Sequence, residues 1–332
     1  MSELRDSVVL VRLAYQGMLA KGIDAGEVLR RIGMNEGHLG VQDLRTPHSG
    51  QARFWSAVEE VSGDSDIGLH LGEAVPLYRG QVLEYLFLSS PTFGDGLRRA
   101  LNYQRLLSDA VHARLDQDEI GYFLSHKAFG RDVRHLVEAV FVGVVKFFRY
   151  VTEDSFKPLL IEFAHDSGAS ATEYARIFGC TVRFGCVENR LYFSPQVLEI
   201  PSLHAESELL RLHEQVASEH VARLEKQDFV SSVNRLIGEL LESGHADLET
   251  VAERLAIKPR SLRTRLSEAE TNFNQLLADY RCNLAKRLLA KTDESIDEIV
   301  YLTGFSEPST FYRAFKRWVG LTPIEYRRSK RA

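Results

Sequence analysis

The chain has 332 residues, of which 44% are hydrophobic, 10% aromatic and 26% charged, and its formal net charge is −5. This length suggests two domains, and the aromatic fraction excludes disorder as the dominant state. The sequence contains no apolar run of about 18 residues, and Met1–Gly17 lacks the basic and apolar regions of a secretory signal. We therefore expect a cytoplasmic protein that does not span a membrane.

The cysteine content argues against metal and redox chemistry. Cys180, Cys186 and Cys282 are too few and too scattered for a disulfide framework or a four-ligand zinc site. We interpret all three as unreactive, partly buried thiols. The sequence has no GxGxxG, P-loop or metal-ligand spacing, so we expect neither a nucleotide cofactor nor a metal.

Residues 1–203 are predicted to form an α+β domain. Apolar residues at three- and four-residue spacing predict helices, and short apolar runs between turn residues predict strands. The predicted helices are residues 8–19, 52–61 and 133–151, with a loop around residues 46–50. The predicted strands are residues 112–115 and 121–124, which form a hairpin, and residues 159–164, 181–184 and 191–193. This mixture is typical of an α+β fold.

The predicted helix 133–151 is apolar nearly all round, which indicates that it is buried on most sides. His135, Glu138 and Arg149 lie on one stripe of this helix. Buried charges need partners. The three side chains therefore either line an effector-binding pocket or belong to an internally satisfied polar cluster or a helix edge that reaches water.

Residues 204–227 are predicted to form a long polar connecting helix. Leu210, Ala217, Val221 and Leu224 occupy heptad-like positions, but two heptads are too few to establish a coiled coil. The sequence leaves two possibilities open, namely a helix docked on its own chain and a dimer contact.

Residues 228–332 are predicted to be all helical and to contain two helix-turn-helix units. In the first unit, a short helix with Leu248 and Val251 leads through a turn at residues 256–258 to a second helix that starts at Pro259. Leu262 and Leu266 form the core side of this second helix.

The opposite side of that helix carries Arg260, Arg263 and Thr264. Arginine can donate two hydrogen bonds to the major-groove edge of guanine. The pattern indicates a DNA-recognition helix, although a solvated surface helix with incidental arginines has the same pattern.

The second unit repeats the arrangement. A helix over residues 295–302 is followed by a turn at Gly304 and by a second helix, for which Ser306 is the predicted N-cap and Pro308 the first-turn residue. Phe311 and Phe315 are predicted to face the core.

A helix over residues 272–291 separates the two units. Its 20 residues span about 30 Å, close to the roughly 34 Å of one turn of B-DNA. Such a helix can hold two recognition helices in successive major grooves. Residues 231–332 contain 17 Lys and Arg against 14 Asp and Glu, a net +3, whereas residues 1–230 carry −8. This split is expected when only the second part meets a polyanion.

Residues 229–328 resemble the DNA-binding domain of AraC/XylS-type transcription regulators. The residues that carry the resemblance are Ile296–Ile299, Gly304–Trp318, Gly320 and Pro323, with Leu248, Ala252, Leu255, Leu262, Arg265 and Leu266 in the first unit. Residues 60–225 more loosely resemble the regulatory domain labelled arabinose-binding-like. The matching residues there are Gly68-Leu69, Ser89–Thr92, Phe163–His165 and Val182–Gly185.

The resemblance implies a set of DNA contacts. It places base contacts on Arg260, Arg263 and Thr264 in the first unit and on Pro308, Ser309, Tyr312 and Arg313 in the second, with Thr310 and Lys316 on the DNA backbone. Two residues depart from the family pattern. Lys258 replaces a capping serine, and Val300 replaces a small alanine.

The resemblance also implies a function. It predicts a non-enzymatic transcription regulator, more an activator than a repressor, that binds double-stranded promoter DNA as a homodimer, contacts RNA polymerase and responds to a small-molecule effector in the first domain. The label does not establish arabinose as that effector. A bifunctional DNA-repair methyltransferase and regulator is the alternative, but its cysteine motifs are absent. An interaction scaffold that does not bind DNA is a further alternative.

Overall fold

The computed structural model describes residues 3–41, 43–76, 81–126, 133–166, 168–241 and 245–331. The chain divides into two compact units, Met1–Val221 and Ala222–Ala332. The predicted limits at residues 203 and 227 stay a prediction. None of the helices in the described ranges is long and apolar enough to cross a membrane.

The first unit is a mixture of helices and strands. Its helices are α1 (Val8–Ala20), α2 (Ala25–Arg31), α3 (Glu36–Leu39), α4 (Gln51–Ser62), α5 (Ile67–Ala74), α6 (Val82–Ser89), α7 (Phe93–Asn102), α8 (Arg134–Val151) and α9 (Ala171–Phe178). Its strands are β1 (Arg5–Ser7), β2 (Arg45–Pro47), β3 (Ala113–Gln117), β4 (Tyr122–His126), β5 (Pro158–Glu162), β6 (Thr181–Arg183) and β7 (Asn189–Phe193).

The main sheet has the strand order β3-β4-β7-β5-β6. Its neighbouring strands are antiparallel except for β5 and β6, which are parallel and joined through α9. The five strands predicted from the sequence are confirmed, and β3 and β4 form the predicted hairpin. Strands β1 and β2 form a separate antiparallel pair that the sequence analysis missed, and β2 lies in the expected loop.

Helix α8 is largely buried in the first unit, as its apolar sequence predicted. It packs closely against α5, where glycine is required at two positions. A Cβ atom on Gly68 would lie 2.5 Å from the Cα atom of His135, and one on Gly72 would lie 2.8 Å from the Cβ atom of Val142. The other side of the core contains the aromatic residues Phe141, Phe148 and Phe163.

The predicted connecting helix 204–227 is part of a longer helix, α10 (Ser207–Leu241). Residues Lys226–Asp228 include neither glycine nor proline, so nothing local ends the helix there. Leu210 and Ala217 are buried, and they pack with Leu83 and Leu86 of α6. This packing agrees with the docked possibility for this part of the helix.

The second unit is helical throughout its described residues. Beyond α10 it contains α11 (Leu248–Arg254), α12 (Pro259–Glu268), α13 (Phe273–Lys291), α14 (Ile296–Leu302), α15 (Pro308–Val319) and α16 (Pro323–Arg331). Two separate apolar cores hold these helices. The first includes Leu262 and Leu266 of α12, and the second includes Phe311 and Phe315 of α15.

Helix α13 contributes to both cores of the second unit. Phe273 and Leu276 in its first half belong to the first core, and Ala285 and Leu289 in its second half belong to the second core. Each helix-turn-helix pair is therefore packed on its own end of a single helix of 19 residues, which spans about 28 Å.

Both helix-turn-helix turns contain a residue with positive φ. Gly304 between α14 and α15 has φ +71°, a conformation that glycine adopts without steric cost. Ala256 between α11 and α12 has φ +53°, which is unfavourable for a residue with a Cβ atom. The predicted N-cap Ser306 is wrong, because Glu307 occupies that position, with Pro308 at the start of α15.

Candidate nucleic-acid interface

The first recognition helix, α12, has one buried and one exposed side. Leu262 and Leu266 are fully buried, and Arg260, Arg263 and Thr264 are exposed. The Thr264 hydroxyl donates to the carbonyl oxygen of Arg260 at 3.1 Å, and Arg263 lies 3.5 Å from the exposed carboxylate of Glu249. An exposed ion pair of this length is weak, so the Arg263 guanidinium can exchange Glu249 for an external acceptor.

The second recognition helix, α15, has the same division. Phe311 and Phe315 are fully buried. The exposed residues among the predicted contacts are Pro308, Ser309, Thr310, Arg313 and Lys316. Together with the α12 side chains, they give the second unit two exposed polar helix faces, each supported by its own core.

Two of the α15 residues that are predicted to contact DNA also make contacts within the protein. Tyr312 is half-buried and packs edge-on against Phe311, with ring centroids 6.1 Å apart. The Arg313 guanidinium folds back along the helix, donating to the Ser309 carbonyl at 3.3 Å and to the Thr310 hydroxyl at 3.5 Å. Both Arg313 bonds are long and exposed, so they hold the side chain only weakly.

The second helix-turn-helix is joined to α13 by Arg281, which the sequence analysis missed. Its Nη2 donates to the carbonyl oxygen of Gly304 at 2.9 Å, and its guanidinium lies 4.8 Å from the ring centre of Phe305. Burial lowers the pKa of this guanidinium. No spacing rule marks Arg281 in the sequence, because its partners lie more than 20 residues further along the chain.

Comparison with known families matches both parts of the chain. Residues 22–202 match the arabinose-binding domain of AraC transcription regulators, and residues 251–329 match a helix-turn-helix domain. The first match alone covers more than half of the 332 residues. The chain belongs to the AraC family of transcription regulators. It is a DNA-binding regulator with a mixed α/β first domain and a helical second domain.

Individual relatives of this AraC-family regulator are moderately similar to it. The ornithine utilization regulator of Pseudomonas aeruginosa is 29% identical over 286 residues, which is 82% of this chain and 81% of the relative. An HTH-type transcriptional regulator of Mycobacterium tuberculosis is 28% identical over an alignment 351 positions long, which covers 98% of this chain and 97% of the relative. The crystal structure of the regulator CdpR from Pseudomonas aeruginosa has 20% identity and a TM-score of 0.43, covering 90% of this chain and 97% of CdpR.

The first recognition helix of this AraC-family regulator begins without a side-chain cap, as the sequence predicted. Lys258 is the N-cap residue, its backbone is extended, and no side-chain oxygen accepts from the first turn of α12. Replacing Lys258 by serine would provide that acceptor. We expect Lys258→Ser to stabilise α12 by about 1 kcal/mol, which lowers the population of the locally open state, and hence the rate of amide exchange, about fivefold.

Hydrogen exchange of the α12 amides, followed by mass spectrometry, measures this effect. Lys258→Ala is the matched control, because it removes the same positive charge from the helix N-terminus without adding an acceptor. Equal protection in the serine and alanine variants would contradict a capping effect.

The three predicted effector residues lie on α8 in two separate environments. The His135 and Glu138 side chains are neighbours, with 3.9 Å between His135 Nδ1 and Glu138 Oε2. Arg149 lies three turns further along, about 16 Å from Glu138. It donates to the carbonyl oxygen of Phe178 at 2.8 Å, at the C-terminus of α9. The structure therefore brings together two of the three, and their effector role stays a prediction.

The Glu138 carboxylate is the centre of a buried polar cluster. Its Oε1 accepts from Arg134 Nε at 3.0 Å and from the Tyr174 hydroxyl, and His165 Nε2 lies 3.9 Å away. Burial alone would raise the pKa of Glu138, but His135, Tyr174 and Arg134 together hold that pKa below its ordinary value. Burial and the hydrogen bond to Glu138 raise the pKa of Tyr174 to about 12.

The cysteines have the properties of unreactive thiols. Burial raises the pKa of Cys180 to about 11 and also raises the pKa of Cys186 and of Cys282. Since the thiolate is the reactive form, these shifts disfavour nucleophilic chemistry. Within the described residues, no group of three or more His, Cys, Asp or Glu side chains is arranged to hold a metal ion.

Proposed function

We propose that this AraC-family regulator binds promoter DNA with α12 and α15 in successive major grooves and activates transcription when a small molecule binds its first unit. The observation that carries the proposal is the pair of exposed polar helix faces on two separate cores joined by α13. Base contacts come from Arg260, Arg263, Thr264, Pro308, Ser309, Tyr312 and Arg313, and backbone contacts from Thr310 and Lys316. A ligand controls such a protein by binding one of two conformations more tightly than the other.

The active form in this proposal is a homodimer that contacts RNA polymerase. Leu209, Leu212 and Val216 of α10 support dimerisation, because each is more than 40% exposed and the three form one apolar stripe. The stripe lies beside the buried Leu210 and Ala217. Light scattering of the wild type and of Leu212→Lys tests the dimer, and an unchanged mass in the variant would contradict this contact surface.

The division between base and backbone contacts predicts different effects for two single substitutions. Arg263→Ala removes a side chain that can donate two hydrogen bonds to guanine. We expect a loss of about 1–3 kcal/mol at the cognate site and a relaxed preference at one base position. Lys316→Ala removes a phosphate contact, so it should weaken binding to all sequences and lower the salt slope by about 1.

Fluorescence anisotropy with duplexes from the region upstream of the gene, titrated at several salt concentrations, measures both effects. Footprinting of the same region defines the cognate site, and scrambled duplexes give the non-specific affinity. Arg235→Ala is the control for loss of an arginine, because Arg235 pairs with Glu239 on α10 at 2.5 Å. Identical behaviour of Arg263→Ala and Lys316→Ala on cognate and scrambled duplexes would contradict the assigned roles.

Activation is tested separately with a reporter gene behind the footprinted promoter. We expect transcription to rise with added effector in the wild type and to stay at the basal level in Arg263→Ala. Transcription that falls when the protein is expressed would indicate a repressor instead.

A further inference from the structure

Three neighbouring cavities follow one side of α8 in the first unit. Their volumes are about 460, 370 and 180 Å³. Leu10 of α1 and Val140 of α8 line all three, and the two larger cavities also share Leu136. The two larger volumes lie within the range of about 300–1,000 Å³ that is typical of small-molecule sites.

The cavities lie on the opposite side of α8 from the polar cluster around Glu138. A helix turns by about 100° per residue, which places Leu136, Val140 and Val144 on one face and Glu138 and Val142 on the other. Leu136, Val140 and Val144 are only half-buried, whereas Glu138 and Val142 are fully buried. The apolar face of α8 is thus open to the cavities.

The wall of the largest cavity is mainly apolar. Its side chains include Met34, Phe54, Trp55, Val75, Leu136 and Val140. An apolar wall of this kind favours a ligand that is largely hydrocarbon, because the burial of apolar surface is favourable and the burial of unpaired charge is costly.

Trp55 lines this wall and carries a buried hydrogen-bond donor. The residue is 4% exposed, and within the described residues its Nε1–H has no acceptor. A buried donor without an acceptor is rare in folded proteins and unfavourable. A ligand with one acceptor atom beside the indole would satisfy it.

Among the described residues, the charged groups around the cavities do not form a positive site for an anionic ligand. The Asp6 carboxylate lines the second cavity and is buried, accepting from His48 Nδ1 at 2.9 Å, Gln51 Nε2 at 2.7 Å and Ser108 Oγ at 2.5 Å. The carboxylate of Glu3 borders both larger cavities. Arg53 borders the first cavity, but its guanidinium donates to the carbonyl oxygen of Arg31.

We propose that this site binds a neutral, largely hydrocarbon small molecule whose single acceptor, such as a carbonyl oxygen, accepts from Trp55 Nε1–H. The inference rests on the proposed effector control and assigns it a site and a ligand class. It moves the effector site away from Glu138 and Arg149, whereas His135 stays a neighbour of the site, with its ring centre 6.1 Å from that of Trp55.

The probe for this site is 2-decanone, compared with decanoate, decylamine and ornithine, all titrated calorimetrically into the full chain. The ketone has a neutral acceptor, decanoate an anionic one, and decylamine and ornithine carry a positive charge. We expect saturable binding of 2-decanone, about tenfold or more weaker binding of decanoate and decylamine, and no binding of ornithine. Ornithine or decylamine binding as tightly as the ketone would overturn the ligand class.

Two substitutions test the location. Val140→Phe fills the part of the wall that all three cavities share, so it should weaken 2-decanone binding about tenfold or more. Val187→Phe is the matched control, because Val187 is fully exposed and does not line the described cavities. Trp55→Phe keeps the ring and removes the donor, so it should weaken the ketone about fivefold. If neither Val140→Phe nor Trp55→Phe changed ketone binding, the site would be overturned. Two variants are used so that poor folding of one does not decide the result.

The same proteins separate this inference from the proposed effector control. A metabolite extract that changes promoter binding equally in wild type and in folded Val140→Phe would keep effector control and overturn this site. An extract effect that Val140→Phe abolishes would support both. If the extract did not change promoter binding by the wild type while 2-decanone still bound to it, the site would be supported and effector control by those metabolites would be overturned.

Discussion

Inserting two alanines between Asn283 and Leu284 of α13 is expected to lower promoter affinity by about a hundredfold or more. Two extra residues rotate the second half of the helix by about 200° relative to the first half. Each core keeps its own side chains, because the insertion falls between the part of α13 in the first core and the part in the second. Only one recognition helix can then bind the DNA, so the gain in affinity from linking two binding modules, about 10²–10⁴-fold, is lost.

A four-alanine insertion at the same point is the control. It rotates the second half by about 400°, which is within 40° of the original direction, and lengthens the helix by about 6 Å. Both insertions separate Arg281 from Gly304 by added residues, so loss of that contact is common to them. We expect the four-residue variant to retain more affinity than the two-residue variant, measured by anisotropy on the footprinted site. Equal losses would contradict simultaneous binding of two recognition helices in phase.

The sequence predicted those elements that local patterns define. The apolar runs of the main sheet were found because each is bounded by turn residues, and α15 was found because Pro308 starts it and Gly320 follows it. Strands β1 and β2 have only three residues each and no alternating apolar pattern. Their pairing depends on register across about 40 residues, such as Ser7 opposite Arg45, which no local pattern records.

The candidate DNA interface was predictable for a related reason. Arg260 and Arg263 lie on a predicted helix whose buried side is marked by Leu residues, and Arg313 lies on one whose buried side is marked by Phe residues. The 3.6-residue repeat then gives the exposed side of each helix. The half-burial of Tyr312 was not predictable, because it depends on contact with Phe311 and the second core.

The cavities beside α8 could not be found from the sequence. The sequence of α8 draws attention to His135, Glu138 and Arg149, because charged residues stand out in an apolar helix. A cavity is defined by where α1, α4 and α8 fail to fill space, which is a property of three-dimensional packing. Val140 and Leu136 look like ordinary core residues until their partial exposure is known.

Glu138→Ala is expected to lower the free energy of unfolding of the first unit by about 3 kcal/mol, at the lower end of the range for breaking a buried ion pair. The substitution leaves the Tyr174 hydroxyl without its acceptor and takes one of two carboxylate partners from Arg134. The lower end applies because the Arg134 side chain is 28% exposed and retains Asp66 at 2.5 Å. Urea unfolding followed by the fluorescence of Trp55 in a Trp318→Phe background reports on this unit alone.

Glu73→Ala is the control for loss of a glutamate from an ion pair. Glu73 pairs with Arg176 at the surface, where both side chains are exposed to solvent. An exposed pair contributes little to stability, so we expect the unfolding midpoint of this variant to match that of the wild type. Equal destabilisation by the two substitutions would mean that the burial of Glu138 does not increase the contribution of its contacts to stability.

The difference between wild type and Glu138→Ala should depend on pH. The pKa of Glu138 is lowered in the fold, so its contribution is complete above the ordinary glutamate value of 4.5 and is lost as the pH falls through the folded-state pKa. Burial opposes protonation of His135, but Glu138 and Glu59 outweigh it and raise the pKa of His135 above 6.5. The His135 contribution is therefore complete below pH 6.5 and is lost as the pH rises through that raised pKa. The two opposite dependences place the largest difference between pH 4.5 and 6.5, and a difference that kept growing towards pH 9 would show that His135 is not charged beside Glu138.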